Sequence, residues 1–135
     1  MSEFALFDTS VLIDQLRTNR HAQRIASLEQ PLRNSSVVLA ELWRGARLQA
    51  EQKLVHELER NYPILTPTTK NWIDSGQILA KMRADQGFEP HKLRDLHFDV
   101  LIALTARTHG ARLITSNRED FEMIKSYRNF KLEVW

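Results

Sequence analysis

Residues 4–16 read FALFDTSVLIDQL, and the pattern of this stretch decides the fold. The apolar residues 4–7 predict a short buried strand, which the Asp-Thr-Ser segment at 8–10 ends. Apolar side chains at helical spacing follow in residues 11–16, so we expect a helix directly after the turn. A strand–turn–helix unit of this kind is typical of proteins with parallel sheets.

The rest of the chain repeats this alternation. Further strands are predicted at residues 111–115 and 131–134, and a brief one at 63–67, where prolines bound it. Amphipathic or apolar segments predict the helices, which cover about residues 21–29, 39–46, 50–60, 68–85, 94–109 and 118–124. Strands alternating with helices predict an α/β fold, a three-layer α/β/α sandwich with a central, mainly parallel sheet.

Length and composition limit the classes of protein to consider. A chain of 135 residues, 42% of them hydrophobic, is the usual size of one domain, so we expect a single domain over 1–135. The absence of cysteine excludes disulfides, thiolate metal sites and a cysteine nucleophile. No apolar run approaches the ~20 residues that cross a bilayer. We therefore expect a soluble, cytoplasmic protein without membrane association.

Polar residues fall where a parallel sheet binds its ligands, beyond the carboxyl ends of the strands. Asp8 follows the first strand, and Asn117 follows the strand at 111–115. Glu41 lies in the helix after Ser35-Ser36, and Asp99 lies in the most apolar helix of the chain. An unpaired buried carboxylate is costly, so the apolar neighbours of Glu41 and Asp99 favour a functional role for both.

Each of these acids also has a plain structural interpretation. Asp8 could cap the following helix, and Glu41 could form an ion pair with Arg44 or Arg47. Asp99 could favour the helix dipole, and this interpretation is preferred for Asp95 one turn earlier.

A convergence of Asp8, Glu41 and Asp99 would require a cation to offset their repulsion. Oxygen-rich sites select hard cations, so the predicted cofactor is Mg²⁺ or Mn²⁺ with these three acids as ligands. Such a cation activates water for in-line attack on a phosphodiester. Hydroxyl groups nearby could orient the ligands, namely those of Thr9, Ser10, Thr115 and Ser116.

Four segments in order make the chain resemble the PIN-domain ribonucleases, and among them the VapC-type toxins of toxin–antitoxin pairs. They are ALFDTSVLID, SSVVLAELWRGA, FDVLIALTARTHGARLITSN and EDF. The resemblance runs nearly end to end and implies a metal-dependent endoribonuclease that a cognate antitoxin inhibits and that commonly forms a homodimer.

The resemblance also implies catalytic roles for Asp8, Glu41 and Asp99. Many relatives have aspartate where this chain has Asn117, so either Asn117 by position or Asp120 by charge completes the predicted catalytic site. The lack of charge at Asn117 favours one firmly held cation. A second cation would arrive together with the RNA phosphate.

Other functions fit the sequence less well. A haloacid-dehalogenase-type phosphatase needs a second aspartate where Ser10 stands, and a receiver domain needs an acidic pair and a late lysine that are not evident. A catalytically weak module that binds nucleic acid or an antitoxin is the remaining alternative.

Overall fold

A five-stranded sheet forms the centre of the molecule. The computed structural model describes residues 3–135 and contains strands β1 (Ala5–Phe7), β2 (Leu32–Ser35), β3 (Ile64–Leu65), β4 (Arg112–Thr115) and β5 (Lys131–Val134). The strand order is β3-β2-β1-β4-β5, and every neighbouring pair is parallel. The predicted α/β/α sandwich is confirmed, and Asp8 follows the central strand.

Seven helices connect and flank the strands within the described residues. They are α1 (Thr9–Thr18), α2 (Ala22–Ala26), α3 (Ser36–Gly45), α4 (Gln49–Asn61), α5 (Thr69–Gln86), α6 (Pro90–His109) and α7 (Arg118–Tyr127). The side chains of Asp8, Ser35, Thr68 and Asn117 accept hydrogen bonds from the first turns of α1, α3, α5 and α7. Asp8 directly follows β1, Ser35 ends β2 and Asn117 lies two residues after β4, so capping side chains line the carboxyl edge of the sheet.

Two features differ from the sequence-based prediction. Strand β2 was not predicted, because only one of its four residues is apolar, yet its backbone pairs with β1 and β3. Helix α6 begins at Pro90 rather than at Arg94, because proline at the first helical position costs no hydrogen bond and fixes a helical φ.

The hydrophobic core joins residues of the sheet to residues of α1, α3, α4, α5, α6 and α7. Residues 100–106 of α6 are all buried, as are Ala5 and Leu6 of β1. This burial fixes the rotation of α6 and directs Asp99 towards the carboxyl edge of the strands. Among the helices of residues 3–135, none is long and apolar enough to cross a membrane.

Candidate active site

Asp8 is the most buried of the predicted site residues, with 3% of its surface exposed. One carboxylate oxygen, Oδ1, accepts hydrogen bonds from Ser10 Oγ at 2.7 Å and from Val11 N at 3.4 Å. The other, Oδ2, accepts one from Thr115 Oγ1 at 2.9 Å. Burial raises the pKa of Asp8, although these hydrogen bonds lower it in part. Asp8 therefore caps α1 and also points one oxygen towards the end of β4.

Glu41 reaches the same edge of the sheet from α3. Its Oε1 accepts a hydrogen bond from Thr9 Oγ1 at 2.9 Å, and its Oε2 lies 3.9 Å from Arg44 Nη2. Burial raises the pKa of Glu41, and the charge of Asp8 raises it further. The predicted ion pair with Arg44 is present, but the arginine side chain is 70% exposed and contributes little.

Asp99 gives the clearest evidence that the acids converge. Burial raises its pKa to about 8, and the charges of Glu41, Asp8 and Asp120 all contribute to the rise. Within residues 3–135 its carboxylate has no hydrogen-bond or ion-pair partner, and Asp95 one turn earlier is exposed. A half-buried acid with three acidic neighbours either stays protonated or gains a counter-charge when it ionises.

Asn117 and Asp120 lie together at the start of α7, with Asp120 close to Asp99. Asn117 Oδ1 accepts a hydrogen bond from Asp120 N at 3.4 Å, and Asn117 Nδ2 donates to Asp120 Oδ2 at 3.1 Å. The remaining oxygen of Asp120, Oδ1, lies 3.3 Å from Lys92 Nζ. The amide of Asn117 is thus engaged at the start of α7, whereas the carboxylate of Asp120 acts electrostatically on Asp99.

Hydroxyl groups hold the acids in place, as the sequence predicted for Thr9, Ser10 and Thr115. Ser116 contributes through its backbone, whose N–H donates to Ser10 Oγ at 3.0 Å. The backbone N–H of Asn117 donates to Thr115 Oγ1 at 2.8 Å in the same way. The turn after β4 is therefore tied to the turn after β1, which carries Asp8.

The acids do not form a closed metal cluster. In the part of the chain that the structure describes, no three histidine, aspartate or glutamate side chains are close enough together to hold one ion. Hydrogen bonds and ion pairs draw the oxygens of Asp8, Glu41 and Asp120 towards protein groups. The donors are nevertheless oxygens alone, and the carboxylate of Asp99 has no partner of its own among the described residues, so the chemistry of these side chains fits a hard cation.

Sequence reasoning missed Lys92. It lies seven residues before Asp99, which is two helical turns, and so on the same side of α6. Its ammonium group lowers the pKa of Asp99, against the effect of the neighbouring acids. The signal that could have found it was Pro90, which marks the true start of α6.

Comparison with known proteins identifies the family. The model of the PIN domain matches residues 5–126, which is most of the chain. The chain belongs to the PIN-domain family. The resemblance to PIN domains inferred from the four sequence segments is thereby confirmed. A search of the curated proteins found no match to the chain.

Solved structures resemble this PIN domain over nearly its whole length. DNA-bound VapBC from Salmonella typhimurium matches with 26% identity and a TM-score of 0.73, covering 100% of this chain and 99% of that one. VapBC2 from Rickettsia felis, bound to a promoter DNA fragment, matches with 20% identity and a TM-score of 0.73, covering 98% of both chains. VapBC-5 from Mycobacterium tuberculosis, of the VapBC family of toxin–antitoxin systems, matches with 22% identity and a TM-score of 0.59, covering 97% and 96%. The last two similarities concern the fold.

Proposed function

We propose that this PIN domain is a VapC-type toxin, a metal-dependent endoribonuclease of a toxin–antitoxin pair. The observation that carries the proposal is the proximity of four acids at one edge of the sheet: burial raises the pKa of Asp99 to about 8, and the charges of Glu41, Asp8 and Asp120 add to the rise. Family membership supports nuclease chemistry, and the similarity to DNA-bound VapBC from Salmonella typhimurium supports the toxin role.

We propose that Asp8, Glu41, Asp99 and Asp120 hold one Mg²⁺ or Mn²⁺ ion. A bound cation of this kind lowers the pKa of a water molecule and neutralises charge on a phosphodiester. Thr115 keeps Asp8 in place, and Asn117 orients the carboxylate of Asp120. Without a cation, the raised pKa of about 8 would keep Asp99 protonated at neutral pH, and a bound cation would favour its ionised form. We favour Asp120 over Asn117 because only Asp120 adds charge.

The proposed partners follow from the same assignment. RNA is the substrate, and a cognate antitoxin inhibits cleavage. We further propose a homodimer and a cytoplasmic location, where the RNA substrate is found. Sedimentation velocity of the purified chain tests the homodimer, and a monomer at all concentrations would contradict it.

Cleavage of defined RNAs tests the nuclease proposal. We expect the wild type to cut RNA in Mg²⁺ or Mn²⁺ but not in a chelator. Asp8→Asn and Asp99→Asn should reduce the rate by about 100-fold or more, because each removes a charged ligand. Asp95→Asn is the matched control, since Asp95 is an exposed acid on the same helix as Asp99.

Two outcomes would refute the proposal that the protein is a nuclease. The first is equal cleavage by Asp99→Asn and the wild type. The second is RNA binding by the wild type without any cleavage, which would favour the binding module instead.

A further inference from the structure

Lys92 lies at the rim of the acidic site. Its ammonium nitrogen is 3.3 Å from Asp120 Oδ1, and 37% of its side chain is exposed, so one side of the group faces solvent. The same nitrogen lies over the ring of Phe88, 5.9 Å from the ring centroid. The ammonium group is thus held by one acid and remains accessible to a ligand that covers the site.

The position of Lys92 in its helix is electrostatically unfavourable. It is the third residue of α6, and the first turn of this helix contains no acid. A cation near a helix amino terminus opposes the helix dipole by about 0.3–1 kcal/mol. A partly exposed ion pair such as Lys92–Asp120 offsets only about that amount. Fold stability alone therefore gives little reason for a lysine here.

Lys92 and the proposed metal ion would compete for the same carboxylate, that of Asp120. Asn117 Nδ2 already occupies Asp120 Oδ2, so Oδ1 is the oxygen left for either cation. In residues 3–135, Lys92 and Arg44 are the cationic side chains that form ion pairs with the four acids. The guanidinium of Arg44 lies over the ring of Phe98, 5.5 Å from its centroid, and is further from its acid.

We propose that Lys92 forms a phosphate-binding subsite for RNA beside the acidic cluster. In the cation-free protein Asp120 holds the ammonium group. When a divalent cation takes Asp120, the ammonium group turns to a non-bridging oxygen of an RNA phosphate. A lysine suits this exchange, because its charge sits on a flexible stem and binds phosphate as a point charge. This inference rests on the proposed nuclease function.

A purely structural role for Lys92 predicts a different result. If the ion pair only stabilised the site, its loss would loosen Asp120 and weaken both cation and RNA binding. The proposed exchange instead predicts opposite effects on the two ligands. Removing Lys92 frees Asp120 for the divalent cation and at the same time removes one phosphate contact.

The experiment compares full-length wild type, Lys92→Met, Lys92→Arg and the control Lys81→Met, an exposed lysine of α5. Calorimetric titration with Mg²⁺ alone should show about three-fold tighter binding by Lys92→Met. RNA cleavage at saturating Mg²⁺ should show kcat/KM about ten-fold lower for Lys92→Met. Lys92→Arg should recover most of this loss, and Lys81→Met should match the wild type.

Salt dependence adds a readout that a structural role would not change. The slope of log kcat/KM against log salt concentration should become shallower by about 0.7–0.9 in Lys92→Met, as expected for one lost phosphate contact. Weaker Mg²⁺ binding, or a wild-type rate and slope in Lys92→Met, would overturn the subsite. A wild type that cuts no RNA would instead refute the nuclease function itself.

Discussion

At the scale of single residues, Asp99 links the energetics of the fold to the proposed chemistry. Its helix is fixed by the buried residues 100–106, so the carboxylate cannot move far from the other acids. The raised pKa means that the folded, cation-free protein holds a proton that the unfolded chain has released at the same pH. Stability and cation binding must therefore both depend on pH.

The first prediction concerns stability without a cation. Between pH 4 and 8 the folded state keeps the proton of Asp99 and the unfolded state loses it, so the free energy of unfolding should fall as pH rises and level off above about 8. The raised pKa values of Asp8 and Glu41 act in the same direction. Urea unfolding in a chelator at several pH values measures this slope.

The matched variant isolates Asp99 from the other titrating groups. His97 has a lowered pKa because of burial and opposes the trend near pH 6.5, so the difference between wild type and Asp99→Asn is the informative quantity. We expect a shallower fall in Asp99→Asn. Saturating Mg²⁺ should also flatten the wild-type curve, because the bound carboxylates are ionised in the folded state. Parallel curves for both proteins would contradict the raised pKa.

The second prediction concerns Asn117, the uncharged residue beside Asp120. Asn117→Asp keeps a side chain that caps α7 well but adds a carboxylate beside Asp120. Mg²⁺ binding should tighten by about ten-fold, because the added charge favours the cation. The cation-free variant should be less stable, because two carboxylates then repel each other where Asn117 Nδ2 had donated a hydrogen bond. Calorimetric titration that shows unchanged Mg²⁺ affinity would argue against Asn117 and Asp120 as part of the site.

At the scale of elements, hydrophobic periodicity predicts the strands and helices that have apolar side chains. It does not predict a strand that is held mainly by backbone pairing. β1 and β4 are predictable because β1 is wholly apolar and β4 contains the apolar pair Leu113-Ile114. β2 was missed because Asn34 and Ser35 are polar although both are buried. Asn34 Nδ2 donates to the carbonyl oxygens of Leu58 at 2.6 Å and Tyr62 at 3.0 Å. The hydrogen bonds of this buried amide therefore depend on residues far along the chain.

The third prediction tests that contact. Asn34→Ala should lower the free energy of unfolding by about 1–3 kcal/mol, because it removes the side-chain donor from the carbonyl oxygens of Leu58 and Tyr62 and leaves the Leu58 oxygen with only the N–H of Tyr62. Mg²⁺ affinity should stay at the wild-type value, since Asn34 has no contact with the acidic cluster. Denaturant unfolding and calorimetry test the two parts separately. A stability within about 0.5 kcal/mol of the wild type would show that water replaces the contact.

The candidate site, like the elements, is predictable in part. Asp8, Glu41 and Asp99 are predicted as site residues because each follows or lies within an apolar strand or helix, and their role stays a prediction. Lys92 was missed because α6 was expected to begin two residues after it. The engagement of Asn117 with Asp120 depends on the local geometry of α7, and composition gives no sign of it.

At the scale of the whole molecule, α6 joins the parts of the fold. It packs against α3, α5, α7 and β4, so helices on different parts of the sheet share one core with it. The acids of the site come from α3, α6, α7 and the end of β1. Disruption of this common core should therefore affect every part of the site together.

The last prediction is that residues 1–135 unfold as one cooperative unit. Calorimetry should show a single transition with equal calorimetric and van't Hoff enthalpies, because no part of the core is separate from α6. Leu101→Ala should lower the free energy of unfolding by about 2–5 kcal/mol without splitting the transition, since Leu101 is fully buried. Mg²⁺ at 100 times its dissociation constant should stabilise the same transition by about 2.7 kcal/mol. Two transitions, of which Mg²⁺ shifts only one, would show that the site belongs to a separately folding part and would contradict the single domain.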